Sequence, residues 1–256
     1  MLELLIVFGP LLLVPFFFAL DLLHRARDYY RPRWWRTRAT AVTTLAIAVS
    51  VGTGMLWESV LDFPSVFDLS GWGVLGGATA GALVYLVAAY WMHRASHSFK
   101  PWWLVGHQMH HAPESLDAFG ALYVSPFDMA LYTSVNVLVF YPLLGISPGA
   151  GALAAAVLMF LSIFPHANIR TPRWLGYLVQ RPESHSLHHA RGLHRFNYSD
   201  LPLLDMLFGT FRNPKEFVPR VGFYDGASAR IGDMLLARDV SKPPTDLHES
   251  PVAQVA

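Results

Sequence analysis

At 256 residues, 53% hydrophobic and only 14% charged, with a mean hydropathy of +0.34, the chain is too apolar for an ordinary soluble domain and has the long uncharged runs of an integral membrane protein. It contains no cysteine, which excludes disulfides, iron–sulfur clusters and thiolate ligation, so any metal must be held by nitrogen or oxygen. Net charge is +1 and no nucleic-acid-binding motif is present, so nothing suggests a nucleic acid partner.

Leu2 to Leu20 is apolar but interrupted by Glu3, Pro10 and Pro15, and lacks the basic start and small-residue cleavage site of a signal peptide, which predicts a retained first helix. Six arginines follow in one short loop (Arg25, Arg27, Arg31, Arg33, Arg36, Arg38), alongside Tyr29, Tyr30, Trp34 and Trp35. By the positive-inside rule this loop is cytoplasmic, its aromatics at headgroup level. Ala39 to Trp57 is free of charge, and its nineteen residues reach about 28 Å at ~1.5 Å each, enough to cross the hydrocarbon core. Glu58, Asp62 and Asp68 then mark an external loop. The return helix, Gly71 to Met92, is rich in Gly and Ala, as close packing in lipid prefers, and delivers His93 and His97 to the cytoplasmic face. Met129 to Ser147 and Gly149 to Pro165 are two apolar runs joined at the turn signal Ser147-Pro148-Gly149, forming either two short spans or a re-entrant hairpin. Either way His166 emerges beside His93.

The expected architecture is all-α, an integral membrane bundle of about four to five inserted helices with a histidine-rich helical cap on the cytoplasmic face. Residues 1–214 read as a single membrane-embedded domain carrying the histidine motifs (93–194), 215–238 as a C-terminal extension and 239–256 as a disordered tail.

Nine histidines form the candidate site. His93 and His97 are spaced HxxxH, His107, His110 and His111 HxxHH, and His185, His188 and His189 HxxHH again, with His166 between the clusters. Positions i, i+3 and i+4 share a helix face, so each motif aims its imidazoles at one point. Nine ligands exceed what one tetrahedral ion uses, so the count implies two metals. Imidazole suits iron, zinc, copper and nickel alike, and does not name the ion. His24, in the arginine loop, and His248, in the tail, are expected non-ligands. His194, five residues after His189, reads as a tenth ligand, a hydrogen-bond partner of a ligand, or a substrate contact. Asn168, Arg170, Glu114, Asp117, Glu183 and Asp200 are candidates to accept or orient the other ring N–H of a ligand histidine.

The motifs HRASH, HQMHH and HSLHH, with FPHAN and NYSDLPLLDMLFGTF, resemble the fatty acid hydroxylase and sterol desaturase superfamily of membrane di-iron enzymes over about Trp72 to Asn213. The resemblance implies that the domain is catalytic, that the nine histidines ligate two non-haem irons (zinc being a possible substitute), that Asn197 supports them, and that O2 is the co-substrate. It further implies a lipid substrate, hydroxylated or desaturated at an unactivated C–H bond. The chain has no fused haem-binding electron carrier, so a separate ferredoxin- or cytochrome-type donor with its reductase is expected. The bacterial inner membrane is the expected location. Some members carry a histidine four residues after the one matching His166, where this chain has Arg170. Two rival readings use the same histidines: a membrane zinc hydrolase, which would want a glutamate in the motif as in HExxH, and a metal transporter or sensor, whose site would sit near the bilayer midplane.

Overall fold

The computed structural model describes residues 2–62 and 64–244, with side chains from residue 12 onward. The described chain is helical, and its sole β pairing is an isolated bridge between Ala190 and Val221. Among the described residues, three segments are long and apolar enough to cross a membrane: α2 (Trp35–Val60), Ser70–Ser98, which includes α3 (Gly73–Ser98), and Pro148–His166, which includes α7 (Pro148–Ile163). The chain is therefore a membrane helical bundle, completed by α1 (Leu2–Leu23) and α6 (Pro126–Leu138). Between α3 and α6 run two short helices, α4 (Lys100–Trp102) and α5 (Gln108–His111), linked by a π-turn over Trp103–His107. After α7 come α8 (Pro182–His188), α9 (Leu203–Leu207) and α10 (Ile231–Leu235).

Local signals fix the hairpin. Ser125 and Ser147 cap α6 and α7, accepting from the backbone N–H of Asp128 and Ala150, and a proline at the first turn of each helix needs no N–H there. α6 ends in a second π-turn, Val139–Leu143, that contains Pro142. α7 packs between α1 and α3, while α2 packs on α6. The small residues of α3 permit its close approach: a Cβ on Gly77 would lie 2.9 Å from the Cβ of Ala150. Leu86, Phe140, Ile146 and Leu158 fill this seam, whereas Leu45, Met55, Leu83 and Val87 face outward, where lipid would take the place of a protein neighbour.

The C-terminal extension is not peripheral. Phe217, Val218, Val221, Phe223, Tyr224, Ala227 and Met234 are buried, packed over the HQMHH segment and the arginine loop. Glu114 accepts from the backbone N–H of Gly226 and Ser228 and from the Ser228 hydroxyl, and Gln108 bonds the backbone of Arg238 and Val240 at 2.9 and 3.2 Å. Val240, read from sequence as the start of a tail, is fully buried; residues 245–256 of that tail, His248 included, lie outside the described residues.

The arginine loop lies at the same end as the histidines. The N–H of Arg27 donates to Asn168 Oδ1 at 2.8 Å, the Asn168 side chain returns a bond to the Arg27 carbonyl, and Arg38 reaches Ser228 at 3.0 Å. Asp21, buried at the end of α1, accepts from the backbone N–H groups of Ala118 and Asn168, joining the first helix to the loops beside both halves of the site.

Candidate metal centre

All nine predicted histidines converge, in two groups whose nitrogens lie within 4.8 Å of one another: His93, His97, His107, His111 and His188, and His110, His166, His185 and His189. The division cuts across the motifs. In the chain HxxxH lies next to HQMHH, and His166 next to HSLHH; in the structure His110 joins the His166 group and His188 joins the His93 group. The helical repeat explains the exchange. In each HxxHH, the first and last rings (i, i+4) stay together, while the i+3 ring is turned away from the last by about 100° and reaches the other centre.

Hydrogen bonds on the far side of the rings set their tautomers. Nδ1 of His93 is 2.7 Å from the Tyr198 carbonyl, that of His188 2.7 Å from the Phe196 carbonyl and that of His166 2.9 Å from the Ser162 carbonyl. A carbonyl only accepts, so each Nδ1 carries the proton and each Nε2 presents a lone pair. His107 donates likewise from Nδ1 to the Asp128 carboxylate at 3.0 Å. These lone pairs face further ring nitrogens: Nε2 of His166 is 3.3 Å from that of His110 and 3.0 Å from that of His185, and Nε2 of His107 is 3.2 Å from that of His111. Among the described residues, the buried Nε2 atoms of His93, His97 and His188 have no hydrogen-bond partner.

A cation in the middle of either group would be within reach of lone pairs from several rings. Four ligands at ~2.0–2.1 Å from a metal sit about 3.3 Å apart, close to the spacing found, so the residues fit a metal. Burial, reinforced by neighbouring imidazoles, holds His110, His111, His185, His188 and His189 well below the usual histidine pKa, which keeps them neutral and able to ligate.

The supporting residues differ from those expected from sequence. None of Asn168, Arg170, Glu114, Asp117, Glu183, Asn197 and Asp200 hydrogen-bonds a histidine ring among the described residues. Glu114 and Asn168 hold backbone, as above. Asp117 accepts from Trp35 and Ser115, and Glu183 from Thr171 and the buried Arg181. Arg170 pairs with Glu216 at the surface, 2.8 Å away, and the His166 group has four histidines without it. Asn197 ties the loop after α8 to the protein, donating to the Ser184 carbonyl at 2.8 Å and accepting from the Arg212 N–H at 2.7 Å. Asp205 clamps the same loop by accepting from the N–H of Tyr198 and Ser199, which sets the carbonyl that His93 needs.

His194 stands outside both groups, its Nδ1 3.2 Å from Nδ1 of His111, with burial pushing its pKa down to about 4. His24 is exposed and belongs to neither group. The carboxylate that does reach a ring, Asp128, is one the sequence reading missed. It also accepts from Trp102 Nε1 at 2.9 Å, and Gly106 leaves room for it, since a Cβ there would collide with its Oδ1.

Beside the histidines opens a cavity of about 320 Å³ between α2, α3, α6 and α7. Leu86, Ala89, Leu122, Met129, Ala155, Leu158 and Met159 make its walls largely apolar; His93, His107, His110, His166 and His185 line it as well. Two histidine groups that could each hold a metal ion, beside a largely apolar cavity in a helical membrane bundle, define the site. The family model of the fatty acid hydroxylases matches residues 78–210, and the chain belongs to that family. No curated protein and no solved structure matches it.

Proposed function

We infer that the protein is an O2-dependent, non-haem di-iron oxidoreductase that hydroxylates or desaturates an unactivated C–H bond of a membrane lipid. The observation that carries this reading is the pair of all-imidazole groups, five and four rings, facing one apolar cavity. Iron held there would supply activation of O2 and oxidation of the C–H bond, chemistry no side chain in the cavity offers. The chain's own contribution is positional. Carbonyls of Ser162, Phe196 and Tyr198 and the Asp128 carboxylate fix which ring nitrogen is free, the apolar walls exclude water, and the cavity holds a hydrocarbon against the histidine face. Because the arginine loop shares that end of the bundle, the centre faces the cytoplasm by the positive-inside rule, and a separate ferredoxin- or cytochrome-type carrier supplies electrons from that side.

Metal analysis of the purified protein and mass spectrometry of lipids from cells with and without the gene test the reading together. Two irons per chain and an O2-dependent gain of one oxygen, or loss of two hydrogens, are expected. Zinc alone, with ester or amide hydrolysis and no oxidised lipid, overturns it.

A further inference from the structure

His111 differs from its neighbours in what stands behind the ring. His93 and His188 are held by backbone carbonyls and His107 by a carboxylate, whereas Nδ1 of His111 lies 3.2 Å from Nδ1 of His194. At that distance one Nδ1 donates and the other accepts. Nε2 of His111 lies within its group, 3.2 Å from Nε2 of His107. A ring that offers Nε2 to a metal carries its proton on Nδ1, so in that role His111 donates and His194 accepts.

Three parts of the chain converge on His194, a ring that belongs to neither histidine group. The loop after α8 carries it at a φ of 42°, a conformation that costs energy unless its surroundings impose it. Trp103 of the first π-turn lies 6.1 Å from it, centroid to centroid, and Phe223 of the C-terminal segment 5.0 Å, edge to face. That segment is itself pinned beside the site, because the N–H of Gly222 donates to the His189 carbonyl at 3.1 Å and Val221 bridges Ala190.

We propose that His194 is a positioning residue, which accepts the Nδ1–H of His111 and so keeps Nε2 of that ring free for a metal in the His93 group. The proposal rests on the two-metal part of the reading above and not on the reaction. It gives the C-terminal segment a part in the centre, since Phe223 packs the acceptor in place. Only one of the two groups depends on it, because His111 belongs to that group alone.

The test is titration of the full-length, zinc-loaded protein with EDTA, counting metal per chain by inductively coupled plasma mass spectrometry, for the wild type, His194→Ala, His194→Phe and His194→Asn. Phenylalanine keeps a ring against Phe223 but has no acceptor. Asparagine loses the ring but can place its amide oxygen where Nδ1 stands, and it tolerates a φ of 42°. The Ala and Phe variants are expected to lose one of their two metals at EDTA concentrations about ten- to a hundredfold lower than the wild type, while the Asn variant keeps both. A packing role predicts the reverse, so a Phe variant that keeps two metals beside an Asn variant that loses one overturns the proposal. Four coincident titrations overturn it too, as does a parallel weakening of both metals, which would place the effect on α8 as a whole. Should circular dichroism show the Phe variant unfolded, Ala against Asn makes the same comparison. A wild type that holds fewer than two zinc ions sinks the two-metal reading and the proposal with it, whereas failure of the proposal alone appears only in the variants.

Discussion

Asp128→Asn tests the two-centre arrangement at its most specific point. The carboxylate uses one oxygen for the Nδ1–H of His107, at 3.0 Å, and the other for the Nε1–H of Trp102, at 2.9 Å, and it is almost fully buried. Asparagine has one acceptor oxygen and a donor NH2 in the same volume, so one of the two N–H groups must face a donor. If His107 loses its acceptor, its tautomer is no longer fixed and its Nε2 becomes less basic. Removing such a partner lowers metal affinity by about ten- to a hundredfold, or roughly 1.4–2.7 kcal/mol. His107 belongs to the His93 group alone. Titration with a chelator should therefore strip one metal from the variant early, leaving about one per chain where the wild type keeps two. Gly106→Ala, which pushes on the same carboxylate, should act in the same direction. Two metals released together at wild-type chelator concentration from both variants would refute the reasoning.

Exchange of the middle rings predicts that His188→Ala depletes the group containing His93, that His110→Ala depletes the one containing His166, that both abolish lipid oxidation, and that His24→Ala does neither, as metal analysis and product assays would record. The metal-free protein should lose stability in acid. The folded state holds the buried rings below the ~6.5 of unfolded histidine, so the unfolded chain binds more protons, and stability falls as pH drops through about 6.5. A melting temperature of the metal-free protein that is flat from pH 8 to 5 would contradict this. Glu114→Ala removes the acceptor of two backbone N–H groups in the C-terminal segment and should cost about 1–3 kcal/mol for each left unpaired, seen as a lower melting temperature with earlier proteolysis after residue 214.

What was legible in the chain follows from what local pattern encodes. Charge-free runs mark α2 and α3 because crossing a bilayer needs length and apolarity alone. The nine histidines are legible because i, i+3 and i+4 is a local rule. Which ring serves which centre is not, since that depends on how α5 and α8 face each other. The supporting bonds are the least legible: the carbonyls of Phe196 and Tyr198 act through backbone, so residue type carries no signal. Asp128 reads only as the third residue of a helix opened by Ser125-Pro126, twenty-one positions from His107. Asp21 is similar, an acid at the end of an apolar run whose partners, Ala118 and Asn168, are distant in sequence. The hydrophobic residues from Phe217 to Val240 were visible, but without a long run they read as an extension rather than as the cover of the HQMHH segment.

The loop after α8 is where the two centres become one mechanical unit. His194, Phe196 and Asn197 all have positive φ (42°, 69° and 49°), a conformation costly for Phe and tolerated best by Asn. This backbone turns the Phe196 carbonyl to His188 and the Tyr198 carbonyl to His93, and Asn197 holds it against Ser184 in α8, which also carries His185 for the other group. Asn197→Ala removes both side-chain bonds and the residue best suited to φ 49°. A loosened loop lets α8 shift as a unit, drawing His188 from one group and His185 from the other. Chelator titration should thus show both metals weakened in parallel, unlike the single loss expected for Asp128→Asn. If Asn197→Ala lowered only one of the two, α8 would not be held by this loop, and the strain in its backbone would need another explanation.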